Sequence, residues 1–379
     1  MTINNEYKKL NVPNLRFPEF QGEWKKCKLG DLCNVLMCKR ILASQTNTEG
    51  GVPFYKIGTI GNAPDAYISK ELFDDYKTKY NYPHKGEVMI TCAGTVGKCV
   101  IYNGKDAYYQ DSNIVWIDNP SQCISNGFLF HLLAKVDWRK LNSTTIIRIY
   151  NDDLRNLKLS YPQIEEQQKI SRLLSLLDER IATQNKIIED LKKLKSAISK
   201  KLLCNDKWTT YKIQDIAEIG RGRVISSVEI DRQKHPLYPV YSSQTSNDGI
   251  MGYLDNYMFD GEYITWTTDG ANAGTVFYRK GKFNCTNVCG TLKIQPKFDC
   301  YFVSLVLQQA TQKYVSSNLA NPKLMNNTMA SIKIRMPNIE TQKQLSKVFQ
   351  TLDSCLLVHQ RTCKMYLSEK QYLLCQMFI

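Results

Sequence analysis

Two stretches of the chain read alike: PQIEEQQKISRLLSLLDERI, from Pro162 to Ile181, and PNIETQKQLSKVFQTLDSCL, from Pro337 to Leu356. Each opens on a proline, passes through a glutamine-bearing turn and becomes helical. They lie 175 positions apart, and at that offset the likeness begins before the helices. Asn151, Lys158, Pro162, Ile164, Glu165, Gln167, Ser171, Leu177 and Asp178 meet Asn326, Lys333, Pro337, Ile339, Glu340, Gln342, Ser346, Leu352 and Asp353. This internal repeat shapes the fold before any single element does.

Both copies follow one local plan. Alternation over Leu157–Leu159 and Ile332–Ile334 predicts a short strand, which the proline ends. A long helix follows, with a seam of period 3.5. In the first copy the seam lines are Leu177, Gln184, Leu191, Ile198 and Leu174, Ile181, Ile188, Lys195, Leu202. In the second they are Leu352, His359, Tyr366, Leu373 and Phe349, Leu356, Cys363, Lys370, Met377. Polar residues interrupt both at matching places, Gln184 with His359 and Lys195 with Lys370; such residues fix register at a cost in stability. A helix from Gln167 to Leu203 would be about 55 Å long and could not bury its stripe alone. The second copy is its natural partner, in parallel or antiparallel sense. Two independent helices, each on its own domain, are the competing reading.

The segments before the two helices also match. Both open with tryptophan, WKKCKLGDL from Trp24 and WTTYKIQDI from Trp208. Both carry a short basic piece, CKRILAS and GRGRVISS, then a proline–tyrosine strand, VPFYKIGTIGN and YPVYSSQTSNDG. Gly86, Gly97 and Gly104 align with Gly261, Gly274 and Gly281, the same tight turns twice. The halves read as one β-rich fold built twice, with loops that differ, and loops carry function on rigid scaffolds. The expected boundaries are an N-terminal arm over 1–22, β-rich domains over 23–163 and 205–337, and long helices over 164–204 and 338–379.

A chain of 379 residues exceeds one ordinary core. Its net charge of +14 is the electrostatic footprint common in nucleic-acid binders. MTINNEYKKLNVPNLRF lacks the apolar region of a signal peptide, and no apolar run nears the ~20 residues of a membrane span. Thirteen scattered cysteines fit a reducing compartment. A cytoplasmic protein is the expectation. Cys285 and Cys289 have no second pair to complete a zinc site, and His84, His131, His235 and His359 are far apart. AGTVGKC, at Ala93–Cys99, departs from a phosphate loop because its glycines are too close and no Ser or Thr follows Lys98. No dinucleotide fingerprint or nucleophile elbow is present. The pattern points to binding without chemistry.

The loops suit DNA. YSSQTSND, at Tyr241–Asp248, and TWTTDGANAG, from Thr265 with Trp266 set among the polar residues, offer amides and hydroxyls. Amides pair with adenine, guanidinium and ammonium groups with guanine, and hydroxyls with several base edges or phosphates. A plain solvated turn has a similar composition.

With these residues in view, the chain resembles the specificity subunits of type I restriction–modification enzymes. The resemblance covers nearly the whole chain. It rests on LRFPEFQGEWKKCKLGDL (Leu15–Leu32), NPKLMNNTMASIKIRMPNIETQKQL (Asn321–Leu345), LKLSYPQIEEQQKISRLLSLLDERI and the duplication itself. It implies an α/β (α+β) molecule: two β-rich target-recognition domains separated by two long antiparallel helices in a coiled coil, with a pseudo-twofold repeat. It implies that each domain reads half of a split sequence in double-stranded DNA. Two methyltransferase subunits would dock on the helices, and restriction subunits would join them. S-adenosylmethionine, ATP and Mg²⁺ would be used by those partners, and this chain would have no catalysis, metal or cofactor of its own. The connection CNDKWTTYKI is short beside the arm before Trp24, so the symmetry is expected to fail there. A stand-alone DNA-binding regulator, a structural coiled-coil adaptor and a lone nuclease or methyltransferase are the alternatives.

The residues expected at DNA lie in loops, differ between the copies and carry hydrogen-bonding or cationic groups. In the first domain they are Lys39, Arg40, Ser44, Gln45, Lys56, Thr59, Thr91, Thr95 and Lys98. In the second they are Arg221, Arg223, Ser242, Ser243, Gln244, Thr245, Asn247, Thr267 and Asn272. Cations are expected chiefly on phosphates, Lys98 among them, and amides and hydroxyls more often on bases. At the helix–helix interface the expected residues are Leu174, Leu177, Ile181, Ile188, Leu191, Phe349, Leu352, Leu356, Cys363 and Tyr366.

Overall fold

The computed structural model describes residues 10–140, 148–203, 205–316 and 321–379. Residues 1–9 of the expected arm and Cys204, at the end of the expected central-helix segment, lie outside the described residues. The chain falls into two compact units, Met1–Asn185 with Arg361–Ile379, and Lys186–Gln360. Each takes part of both long helices, the central helix Ile164–Leu202 and the C-terminal helix Ile339–Met377, 39 residues apiece and about 58 Å long. Each helix starts two residues after its proline, earlier than the seam alone suggests, because Glu165 and Gln167 are already helical.

The repeated glutamine explains how each helix is seated. Gln167 is fully buried; its amide donates to the carbonyls of Pro162 and Cys123, both at 2.9 Å, and its Oε1 accepts from Ser125 N at 2.7 Å. Gln342 repeats this, donating to Pro337 O at 2.8 Å and accepting from Asp299 N at 3.0 Å. Ser125 and Asp299 are the N-caps of the helices Asn126–Lys135 and Cys300–Ala310. A buried amide satisfied at both ends thus ties the start of each long helix to the start of its domain's own helix. Trp24 and Trp208 pack edge-on against Phe128 and Phe302 of those helices, at 5.8 and 5.9 Å.

The predicted strands lie one residue further on, Lys158–Tyr161 and Lys333–Met336. Each pairs antiparallel with the strand following its domain's tryptophan: Lys25–Lys28, with Lys25 opposite Tyr161, and Thr209–Lys212, with Thr209 opposite Met336.

Beyond these shared parts the units diverge. The second has one six-stranded sheet, in the order Ala217–Arg221, Cys289–Ile294, Phe259–Thr267, Val276–Cys285, Tyr238–Tyr241, Ile250–Leu254. The first has two sheets. One orders Asn34–Leu36, Ile114–Asp118, Val88–Thr91, Cys99–Ile101; the other orders Tyr67–Ile68, Val52–Tyr55, Tyr108–Tyr109. The ten-residue strand Val276–Cys285 spans what is split in the first unit after Ile101. There Asn103 Oδ1 caps Lys105 N, and Asp106 binds Lys70 and Lys77 of the helix Lys70–Lys79 at 3.0 and 3.1 Å.

The long helices pair antiparallel. In the first unit Asp178 binds Lys370 at 2.5 Å, and the Cys363 thiol lies 3.4 Å from Asn185 Oδ1. In the second, Lys195 binds Asp353. All three pairs share one register, each step forward on the central helix matching one step back on the other. The repeat offset carries Asp178 onto Asp353 and Lys195 onto Lys370, so the two ion pairs are one contact made twice with the helices exchanged. Of the expected interface residues, Leu177 and Cys363 are buried, while Ile181, Ile188, Leu191, Leu352, Leu356 and Tyr366 are half-buried. Leu174 and Phe349 sit deeper, where helix and domain cores merge: Leu174 beside Leu374 and Phe378, Phe349 beside Leu203. The chain end docks on the first domain, with Phe378 stacked on Phe128 at 4.9 Å and Leu15 N donating to Gln376 O at 2.9 Å. No described helix is long and apolar enough to cross a membrane.

Candidate nucleic-acid interface

In the first unit four loops converge. Lys98 Nζ donates to Ile60 O at 2.5 Å, reaching across to the loop after the strand Val52–Tyr55. Within that loop Lys56 N donates to Thr59 Oγ1 at 3.0 Å, and the Lys56 ammonium pairs with Asp65 at 3.1 Å. Gln110 N donates to Tyr55 O, and the neighbouring Asp111 binds Arg40 at 2.8 Å. Gly94 has φ +65°, a conformation that glycine takes without strain, where the turn Thr91–Lys98 closes on this loop beside Ile57. Lys39 lies over the Tyr80 ring at 5.3 Å, and Ser44 is exposed. Gln45 caps Leu42 N through its side chain at 2.8 Å.

Two expectations change here. Thr91 is fully buried; its hydroxyl donates to Thr95 O and accepts from Lys98 N, so it braces the turn and cannot face a ligand. Lys98 is half-buried with its ammonium on a carbonyl, so it holds a loop in place of waiting for a phosphate. Thr95 remains exposed at the turn's tip.

In the second unit the loops gather around the turn between Cys285 and Cys289. Arg223 N donates to Cys285 O, Gly222 N to Cys289 O, Thr286 N to Tyr241 O and Thr268 N to Val288 O, at 2.9–3.1 Å. A Cβ on Gly222 would lie 2.1 Å from Cys285 O, which is why the basic loop carries glycine between its arginines. Arg221 is exposed; Arg223 is bidentate on Glu229, and that bond holds the Glu229 carboxyl below its usual pKa. Ser242, Ser243 and Gln244 are half-buried, with Gln244 Nε2 donating to Ile250 O; Thr245, Asn247 and Asn272 are exposed. Thr267 and Trp266 are buried, Trp266 donating to Leu324 O at 2.9 Å, so neither belongs to the surface. Cys285 and Cys289 pack in an apolar cluster with Phe283. No group of three or more His, Cys, Asp or Glu that could hold a metal occurs among the described residues.

Sequence reading missed the carboxylates that hold the cations, Asp65, Asp111, Glu229 and Asp248, and it missed Arg279. The signal for Arg279 is an arginine in mid-strand with Phe277 two residues before it, on the same face.

One loop face per unit, on a repeated scaffold, is the setting for the comparisons with known proteins. The profile of the type I restriction modification DNA specificity domain matches twice, over residues 21–193 and 205–364. The chain belongs to this family. A type I restriction enzyme specificity subunit proposed in Haemophilus influenzae is 48% identical over 167 residues, 44% of this chain and 43% of that protein. The chain therefore matches less than half the length of that relative. A type I specificity subunit proposed in Mycoplasma pneumoniae is 37% identical over 198 residues, 52% of this chain and 82% of that protein. In fold, the S subunit of a type I restriction–modification system from M. genitalium superimposes with a TM-score of 0.72 at 17% identity, over 97% of this chain and 99% of that one. The two profile matches each contain one of the loop faces.

Proposed function

We propose that this specificity-family chain reads a split target in double-stranded DNA, each domain taking one half. The observation that carries this is one loop face in each of two family-matched segments, on repeated supports but with different side chains: Lys39, Arg40, Ser44 and Thr95 in one, Arg221, Thr245, Asn247 and Asn272 in the other. A single reader needs one such face. The long helices set the spacing, with half-site centres about one turn apart, roughly 34–36 Å or ~10 bp. They also dock two methyltransferase subunits, to which restriction subunits join. Exposed apolar residues on the C-terminal helix, Leu357, Val358, Met365, Leu367 and Tyr372, support docking. S-adenosylmethionine, ATP and Mg²⁺ serve those partners.

The test is to express the chain with and without its methyltransferase subunits and map methylated adenines genome-wide. The expected result is a split motif with an adenine in each half, present only with both components. Turnover by the purified chain alone, on DNA with Mg²⁺ and S-adenosylmethionine, would overturn the reading. Tight sequence-specific binding without any partner, and no methylation with them, would favour a stand-alone regulator.

A further inference from the structure

The loop Ser242–Gly249 is closed by Ser242 N donating to Gly249 O at 2.9 Å. At its tip Asn247 and Asp248 take φ of +48° and +53°, a region that costs most side chains energy and that Asn and Asp tolerate best. Such a turn persists when its surroundings over-determine it. The determinant lies beneath. The Arg279 side chain is 4% exposed, yet it reaches the loop with two donors. Nη1 binds Asp248 Oδ2 at 2.6 Å, and Nη2 binds Asp248 O at 2.8 Å. Nε lies 3.3 Å from Thr265 Oγ1. The guanidinium stands 3.6 Å from the Tyr241 ring centroid and 4.4 Å from that of Phe277. A planar fork held against two rings and bonded through both terminal nitrogens has a set orientation, which a lysine could not reproduce. The Asp248 carboxylate is 66% exposed, so the pair runs from core to surface.

We infer that Arg279 is the positioning residue for recognition by the second domain: it never touches DNA, and it sets the loop so that Thr245 and Asn247 meet base edges. This rests on the proposed reading of DNA. The first unit uses the same device, with Lys98 reaching the loop after its own proline–tyrosine strand.

The test uses the chain assembled with its methyltransferase subunits and selects from a pool of random-sequence duplexes. Two variants are compared with the unaltered protein. Arg279→Met keeps the apolar stem. Asp248→Gly accepts the positive φ and removes the carboxylate that pairs with Arg279, while leaving Nη2 its bond to the carbonyl of residue 248; urea unfolding of both variants shows that each is folded before selection. Both should lose sequence preference in the same one half of the selected motif and keep the other half. The slope of affinity against salt should not change, since no phosphate contact is lost. Retention of both halves in folded Arg279→Met would overturn the inference, and retention in Asp248→Gly with loss in Arg279→Met would place the positioning on the carbonyl bond and the rings and remove the carboxylate from it. So would a salt slope reduced by about one with both halves intact, which would make Arg279 a phosphate contact. A pool in which the unaltered protein enriches no motif would instead remove the DNA reading, and this inference with it.

Discussion

His131 lies on the helix Asn126–Lys135, 1% exposed, with Nε2 3.4 Å from the Ser175 hydroxyl. Burial, and then the nearby Lys370 ammonium, push its pKa from 6.5 down to about 4, with Asp178 opposing. The ring is therefore neutral in the folded chain and takes a proton when unfolded below pH 6.5. Its contribution is whole above pH 6.5 and is lost as pH falls towards 4, by roughly 3 kcal/mol at most. Counted from the equivalent N-caps Ser125 and Asp299, leucine stands at the matching place in the second domain's helix, Leu305. His131→Leu should lessen the loss between pH 7 and 4.5, measured by urea unfolding against the unaltered chain; an identical loss would assign the pH dependence elsewhere. Lys98 gives a second test. Because its ammonium holds Ile60 O, Lys98→Ala should relax the first half-site and leave the salt slope unchanged, as read by binding titrations at several salt concentrations. At this scale the sequence tells which groups can bond and where glycine marks a close approach of the backbone, as at Gly222. It does not tell which way a side chain points. Thr91 and Thr267 are hydroxyls in turn-rich stretches, like Thr95, and only the tertiary fold buries the first two.

Among the elements, the repeat made both long helices and the strands before their prolines legible, because period and proline are local signals. The sense of pairing was not given by the seam, which has the same period either way. It was present in the charges. Parallel pairing in repeat register would set Asp178 against Asp353 and Lys195 against Lys370, like on like; antiparallel pairing sets each lysine on the other copy's aspartate. Asp178→Lys should therefore destabilise by about 1–2 kcal/mol, and adding Lys370→Asp should restore most of it. Urea midpoints of the two single variants and the pair decide this. Ile181→Lys, at a half-buried seam position where a lysine stem can lie along the surface, should cost about 1–3 kcal/mol. Val358→Glu and Leu367→Glu, both at exposed positions, should leave the midpoint unchanged and abolish co-purification with the methyltransferase subunits. The split of the first unit's sheet escaped the sequence reading, which took Gly104 and Gly281 for the same turn: Gly104 does follow the end of its strand at Ile101, but Gly281 lies inside the strand Val276–Cys285, opposite Gly261.

For the molecule as a whole, the constant register of the helices bears on how spacing could be changed. Residues added to the central helix alone between Asn185 and Lys195 would keep Asp178 on Lys370 but carry Lys195 away from Asp353. The seam would lose one of its repeated ion pairs, and stability would fall before any spacing changed. One heptad added to both helices, after Lys186 in one and before Arg361 in the other, keeps the apolar seam in phase and preserves every pair. It lengthens each helix by about 10 Å, equivalent to roughly three base pairs of duplex. If helix length is the ruler, the methylated motif of such a variant keeps both halves and gains about three unread positions between them. The duplex turns as it lengthens, so affinity for the longer site should fall while the sequence of each half stays the same. Genome-wide methylation mapping reads both quantities at once. An unchanged spacer would remove the helices from the role of ruler, and altered bases in either half would make them part of the readout.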